Sequence, residues 1–197
     1  MLHRPAMAAV AVAAALLAAP ARATDIALAS DCAWHPFSVD SLLAPPASSL
    51  AWIDDGGSSL AFTFVLGAGT HATLTVVDAG FAGDVFAVTN FAGALGPTSA
   101  VPIGTFPTAH DVGTDFDAAL ADASFSRGVF SLDPGAYRIS GRLTQSVLLD
   151  GVALESTVGA VRLAIAAPVP EPESFALLLA GLGVVGLITR RRSTKRR

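Results

Sequence analysis

Residues 60–89 have the sequence LAFTFVLGAGTHATLTVVDAGFAGDVFAVT and carry the clearest structural pattern in the chain. Apolar and small polar residues alternate over Leu60–Leu66, Ala72–Val77 and Asp84–Thr89, and glycine-containing turns separate the three runs. A period of two, filled with β-branched and aromatic residues, is typical of half-buried strands. We therefore expect three consecutive strands that form a meander.

The strand pattern continues towards the C-terminal end. Ala94–Ser99 predicts a turn, and only Asp115–Ala123 favours a helical turn, with Phe116 and Leu120 on one face. Further strands are expected over three runs: Arg127–Leu132, Ala136–Leu149 and Val152–Ala166. Many short strands in one domain suggest two packed sheets, so the predicted fold class is all-β, an antiparallel β-sandwich.

The two ends of the chain differ from its middle in hydropathy and charge. Much of the positive mean hydropathy, +0.59, comes from the uncharged runs Ala6–Ala19 and Ser174–Thr189. Residues 24–167 hold 14 acidic side chains against four Arg, a balance of −10, and contain no Lys. The 144 residues from 24 to 167 fit one domain, which excludes a multidomain enzyme. The negative charge disfavours nucleic-acid binding, and the missing Lys excludes a Schiff-base or P-loop lysine there.

Residues 1–23 have the three parts of a secretory signal peptide. A weakly basic start precedes the apolar run Ala6–Ala19, and Ala21 and Ala23 provide the small residues of a signal peptidase site. We expect the mature chain to begin at Thr24. The alternative is an uncleaved anchor, but a run of this length is too short to span the hydrocarbon core of a membrane.

The other end, residues 168–197, also has three parts in a fixed order. A proline-rich motif at 169–173 precedes an apolar run at 174–189, which as a helix would be about 24 Å long and marginal for a membrane span. The basic tail at 190–197 follows, beginning with Arg190, Arg191 and Arg192. Basic residues after a transmembrane helix stay in the cytoplasm, so we expect residues 24–167 outside the inner membrane.

This order of motif, span and basic cluster resembles the PEP-CTERM sorting domain, and the motif itself consists of Val169, Pro170, Glu171 and Pro172. The resemblance implies recognition by an exosortase, a membrane cysteine transpeptidase that cleaves near Pro-Glu-Pro. It also implies an inner-membrane intermediate and then release to the cell surface or extracellular matrix of a Gram-negative bacterium. The alternative is a tail anchor that is never cut, which leaves the proline-flanked Glu171 unexplained.

A second resemblance covers residues 60–140. The run Leu74–Val88, with its Gly83-Asp84-Val85-Phe86 corner, and Leu95–Ser99 beyond it are similar to a recurrent, uncharacterised ectodomain of PEP-CTERM proteins. The resemblance implies a β-sandwich of jelly-roll or CUB-like kind and no known reaction.

Asp78 and Asp84 flank a glycine-containing loop and are the sharpest candidate for a ligand site in the ectodomain. Two carboxylates with backbone carbonyls suit Ca²⁺, although this cation takes six or more oxygen ligands. The alternative, which we favour, is that each Asp accepts backbone N–H bonds in a turn. A second acidic set lacks the glycine and glutamate of an EF-hand loop and is expected to be solvated: Asp111, Asp115, Asp117 and Asp122. We otherwise expect no cofactor.

Catalytic motifs are missing from the sequence. His35, His71 and His110 are scattered and lie in no recognised nucleophile or metal motif. Cys32 has no partner for an internal disulfide and is expected to be partly buried near the first strand; the alternative is an intermolecular disulfide. The aromatic side chains that suit stacking on a sugar, or alternatively a core, are Trp34, Trp52 and Tyr137.

The sequence therefore predicts an exported, non-enzymatic protein of the cell surface or of a biofilm matrix. Its expected partners are signal peptidase, exosortase, transiently the inner membrane, and extracellular polysaccharide. The alternatives are a carbohydrate- or Ca²⁺-binding module that uses Trp52 or the Asp78 and Asp84 corner, and a secreted hydrolase of unrecognised type.

Overall fold

The computed structural model describes residues 23–166 and 177–182. Within residues 23–166 the chain forms a short helix α1 (Phe116–Ala121), a 3₁₀ turn (Pro46–Ser48) and eleven strands. The strands are β1 (Thr24–Ala27), β2 (His35–Asp40), β3 (Leu60–Leu66), β4 (Ala72–Ala79), β5 (Val85–Asn90), β6 (Gly93–Pro97), β7 (Arg127–Leu132), β8 (Gly135–Gln145), β9 (Leu148–Leu149), β10 (Val152–Ala153) and β11 (Ser156–Ile165).

Nine of these strands form two sheets. One sheet has the order β1-β3-β8-β5-β6 and the other β2-β11-β4-β7, while β9 and β10 form a small separate hairpin. The pairs are antiparallel except for β1, which runs parallel to β3. The predicted fold class, an all-β domain of two antiparallel-rich sheets, is confirmed.

The predicted meander over residues 60–89 is wrong. Strands β3 and β5 lie in the five-stranded sheet, where both pair with β8, whereas β4 lies in the other sheet between β7 and β11. The glycine-containing link at residues 67–71 therefore carries the chain from one sheet to the other. Alternation of apolar residues identifies the buried face of a strand but not its neighbour.

The predicted turn at Ala94–Ser99 is also mostly a strand. Residues 93–97 form β6, which pairs with β5 across a bulge at Val88 and Thr89. Pro97 is tolerated because it ends a strand at the sheet edge, where one side of the backbone needs no ladder partner.

Aromatic rings fill the space between the two sheets. Phe37 stacks on Trp52 with ring centroids 3.9 Å apart, and Phe86 meets Phe37 edge-on at 5.2 Å. Trp52 is only 1% exposed, and a Cβ at Gly141 would lie 2.5 Å from its indole. Trp52 is therefore a core residue and offers no surface for a sugar ring.

A second apolar cluster covers the outer face of β4. Val77 and Ala79 of this strand pack with Ala119 of α1 and with Phe125, and all four are fully buried. Asp115 begins the helix by accepting a hydrogen bond from the amide of Ala118 at 2.9 Å, as the predicted helical turn requires. Because both faces of β4 are covered at this end, polar groups that follow Val77 are removed from water.

Most of the predicted processing residues lie outside the described ranges. These are Ala21 of the signal peptidase site, the sorting motif Val169 to Pro172, and the basic residues Arg190, Arg191 and Arg192. Within the predicted span, residues 177–182 are helical and exposed. No helix in the described part of the chain is long and apolar enough to cross a membrane.

Candidate functional site

The end of β4 places a carboxyl group inside the sandwich. Leu74, Val76 and Asp78 alternate along the strand and share its inner face, and Asp78 is fully buried. Its Oδ2 accepts a hydrogen bond from the amide of Asp84 at 3.2 Å. Its Oδ1 has no hydrogen-bond partner among the described residues, which is unusual for a buried polar atom.

Asp84 lies directly before β5 and is 1% exposed. Its Oδ1 accepts a hydrogen bond from the amide of Val147 at 2.7 Å, from the segment between β8 and β9. The sequence-based hypothesis assigned each Asp to local turn amides. Asp78 does bind an amide of its own corner, whereas Asp84 binds one that is 63 residues distant in sequence and so ties the corner to the segment between β8 and β9.

Burial controls the charge of both side chains. Desolvation, followed by repulsion from Asp84, raises the pKa of Asp78 from 3.8 to about 9. Desolvation also raises the pKa of Asp84 to about 6, although hydrogen bonds from Thr157 and Val147 oppose this effect. At neutral pH the two groups therefore hold one proton, on Asp78, and one negative charge, on Asp84.

Small and hydroxylic residues fix the corner around these carboxyl groups. Gly83 has φ +134°, and a Cβ there would collide with the backbone of Gly104. Thr98 receives the amide hydrogen of Phe86 at 3.0 Å, and its hydroxyl lies 2.9 Å from that of Ser126. This buried hydroxyl pair was not predicted, although Thr98 belongs to the Leu95–Ser99 run that carries the ectodomain resemblance.

The structure spreads the other candidate residues over the surface. His71 lies 3.1 Å from Asp133, and His110 lies 2.7 Å from Asp122. Of the acidic set, Asp111 binds the amide of Gly113, Asp115 caps α1, Asp117 binds Trp34 and Arg162, and Asp122 binds Ser124 and His110. The described residues contain no group of three or more His, Cys, Asp or Glu side chains that suits a metal ion.

The remaining aromatic candidates have neighbours on their faces. Trp34 is half-buried, and the Arg162 guanidinium lies 4.2 Å from its ring centroid. Tyr137 is also half-buried and stacks on Phe64 at 5.0 Å.

Cys32 was predicted to be partly buried, and this prediction is wrong. Its side chain is exposed, in the loop between β1 and β2, where the backbone adopts φ +59°.

Comparisons with known proteins give one family-model match and one similar solved structure. Residues 168–192 match the family model described as PEP-CTERM protein-sorting motif. No curated protein matches the chain. The crystal structure of a pre-peptidase C-terminal domain of collagenase from Bacillus anthracis aligns with 75% of this chain and 98% of its own, at 11% identity and a TM-score of 0.35.

The matched segment contains the Val-Pro-Glu-Pro sequence, the apolar run and the first arginines of the basic tail, in the order that the sequence analysis described. A PEP-CTERM signal indicates an exported protein that is targeted by exosortase. The chain thus carries a PEP-CTERM protein-sorting motif at residues 168–192 and is an exported exosortase target with a β-rich ectodomain.

Proposed function

We propose that this chain is a non-enzymatic protein that is released from the inner membrane and retained at the cell surface or in the extracellular matrix of a biofilm. The observation that carries the proposal is the sorting motif directly after a folded β-domain. Signal peptidase removes residues 1–23, and exosortase cuts near Pro170 to Glu173. The protein then acts without catalysis, as a folded domain that is retained at the cell surface or in the matrix.

The path of the last strand supports this order of events. β11 ends at Ile165, and the amide of Ala166 still bonds to the carbonyl of His71 at 2.9 Å. The matched sorting motif begins at residue 168, so a very short tether separates the sandwich from the sorting segment. In the sequence, Glu171 follows the last sheet residue and precedes Pro172, a position that disfavours helix and therefore suits a protease or transpeptidase site.

Intact mass of the extracellular protein tests the processing. We expect a species that begins at Thr24 and ends between Pro170 and Glu173. Replacing Pro170-Glu171-Pro172 with three alanines should leave membrane insertion intact and block release, because the apolar run is unchanged. A matched control replaces Ser193 and Thr194 with alanine, which preserves the motif, the run and the charges.

Release of the triple-alanine variant at the normal rate would show that the motif is a linker. An extracellular species that still carries Arg190 to Arg197 would contradict both the topology and the sorting step. Fractionation with an epitope after Thr24, with and without the exosortase, separates surface retention from simple secretion.

Binding of Ca²⁺ at Asp78 and Asp84 is a second candidate function. The unpartnered Oδ1 of the fully buried Asp78 is the observation that favours it, since a cation would satisfy this oxygen. A proton satisfies the same need with less rearrangement, and the raised pKa of Asp78 supports that alternative. A ligand that binds the folded state raises its stability, so thermal melts with Ca²⁺ and with EDTA distinguish the two.

A further inference from the structure

An open cavity of about 420 Å³ lies at one end of the sandwich. It is formed by the end of β2, the segment that follows Trp52, the Asp84 corner and the start of β11. Four carboxyl groups line it, Asp40, Asp54, Asp55 and Asp84, and the described lining residues include no Lys, Arg or His. The cavity therefore favours a positively charged occupant.

The four carboxyl groups differ in their exposure and in how far hydrogen bonds already occupy their oxygens. Asp54 is engaged by the Thr24 hydroxyl at 2.6 Å, which lowers its pKa, and by two amides of its own loop. Asp84 is held by Val147 and is 1% exposed. Asp40 uses Oδ1 for the amides of Leu42 and Leu43, and Asp55 is exposed. Asp40 and Asp55 are thus the carboxylates best placed to meet a cation.

Two consecutive exposed leucines lie in the turn after β2, and one of them lines the same cavity. Leu43 lines it and is 65% exposed, and its neighbour Leu42 is 94% exposed. The turn that displays them is fixed by the Asp40 side chain, which accepts the amide hydrogen of Leu42 at 2.8 Å. Large apolar side chains held outward beside a concave surface are typical of a protein-binding site.

The cavity also lies far from the point where the chain leaves the sandwich. Ser156, at the start of β11, lines the cavity, and Ile165 ends the strand beside Ala72. The ten residues of β11 span about 30 Å, so the cavity and the exit towards residue 168 lie at opposite ends of the domain. A partner at the cavity therefore binds at the end of the domain opposite Ile165, the last residue of β11.

We propose that this cavity docks a basic segment of another exported protein, with a Lys or Arg side chain among the carboxylates and apolar neighbours against Leu42 and Leu43. The exposed Leu42 and Leu43 favour a protein over an amino-sugar polymer as the partner, because a polysaccharide has little apolar surface to cover two leucines. The binding does not depend on exosortase sorting; surface delivery only brings such partners within reach.

Fluorescence anisotropy with a labelled peptide, Gly-Leu-Lys-Leu-Arg-Leu-Gly, tests the proposal on the full-length chain in detergent. We expect binding that weakens when the ionic strength rises from about 50 mM to about 300 mM. A peptide with Glu in place of Lys and Arg should not bind, and one with Ser in place of Leu should bind more weakly. A basic peptide that fails to bind at about 1 mM overturns the proposal.

Variants assign the binding to this cavity. Asp40→Asn with Asp55→Asn removes two charges but keeps the acceptor for the leucine turn, and should weaken binding about tenfold. Leu42→Ser should weaken it severalfold without affecting folding, since the side chain is 94% exposed. Asp133→Asn, next to β7 and β8 at the other end of the domain, is the matched control and should bind like the unmodified protein.

Equal binding by the double variant and the unmodified chain would refute the assignment. Tighter binding of a glucosamine oligomer than of any basic peptide would also overturn the proposal in favour of a polysaccharide ligand. Binding of the Glu-containing peptide as strongly as the basic one would show that charge plays no part. None of these outcomes bears on where exosortase cuts the chain, so the two proposals fail independently.

Discussion

Replacing Asp78 with Asn should remove most of the pH dependence of the domain's stability. Burial and the neighbouring Asp84 raise the pKa of Asp78 from 3.8 to about 9 in the folded state. The folded protein therefore binds this proton more tightly than the unfolded chain does. The resulting stabilisation is complete below pH 3.8 and is lost as the pH rises towards about 9.

The magnitude follows from the width of that pH window. Each pH unit inside it lowers the free energy of unfolding by up to about 1.4 kcal/mol, which gives an upper bound of about 4 kcal/mol between pH 5 and pH 8. Relaxation of the protein around a buried charge reduces such values, so we expect a loss of about 2–4 kcal/mol. Asp84, whose pKa is raised to about 6, adds a smaller loss over the lower part of the range.

Asn at position 78 does not ionise, and its side-chain carbonyl still accepts the amide of Asp84. The variant should therefore change little in stability between pH 6.5 and pH 8, above the pKa of Asp84 of about 6, and should be more stable than the unmodified protein at pH 8. Urea unfolding followed by tryptophan fluorescence, with EDTA present, measures this, because Trp52 lies in the core.

Asp150→Asn is the matched control for this experiment. It removes one carboxylate from an exposed residue with φ +51°, a backbone conformation that Asn tolerates, so its pH profile should parallel that of the unmodified protein. The reasoning is refuted if the Asp78→Asn profile is also parallel to it. It is equally refuted if the unmodified protein becomes more stable between pH 5 and pH 8.

Three further substitutions test the core and the corner. Phe86→Ala should lower the free energy of unfolding by about 3–5 kcal/mol, since the ring is fully buried. The control Val129→Ala, at a residue that is 64% exposed, should be near neutral. Similar small effects of both substitutions in urea titrations would contradict the core assignment. Gly141→Ala should lower the Tm by several degrees, because the new methyl group would lie 2.5 Å from the buried indole of Trp52. The control Gly67→Ala should leave the Tm unchanged, since the nearest atom to its new methyl group is 3.9 Å away. Equal Tm values for the two variants would contradict this packing. We expect the Tm of both the unmodified protein and the Asp84→Asn variant to be insensitive to Ca²⁺. A rise in Tm with Ca²⁺ that is seen in the unmodified protein and lost in Asp84→Asn would instead establish a metal site.

Strand locations were predictable where alternation and turn residues agree. The predicted runs Leu60–Leu66 and Arg127–Leu132 coincide with β3 and β7 residue for residue. Their partners were not predictable, because the choice of neighbour depends on contacts between distant residues, such as Phe62 opposite Ile139. A period of two identifies a strand but does not indicate which sheet that strand joins.

The candidate site was predictable in its residues but not in its environment. The sequence predicted that the loop with Gly80 and Gly83 lets Asp78 and Asp84 approach one another, and the Asp78 carboxyl accepts a hydrogen bond from the Asp84 backbone amide there. Asp84 is held by the amide of Val147, which is 63 residues distant in sequence, so a local pattern does not show that the corner is closed. One local signal was available, since Asp78 falls on the same alternation as Leu74 and Val76, which places it on an inward face.

The parallel pairing of β1 with β3 has a consequence for the timing of secretion. Thr24, the predicted first residue of the mature chain, already bonds through its amide to Ser59 at 2.7 Å, and its sheet partner is Leu60. The proposed cleavage before Thr24 must precede closure of this ladder, because a protease needs an extended, unpaired substrate. Leu60 follows Thr24 by 36 residues, so in a chain exported from its N-terminal end the proposed cleavage site emerges before the sheet partner of Thr24. Once β1 has paired with β3, the ladder protects the same stretch of backbone from proteases.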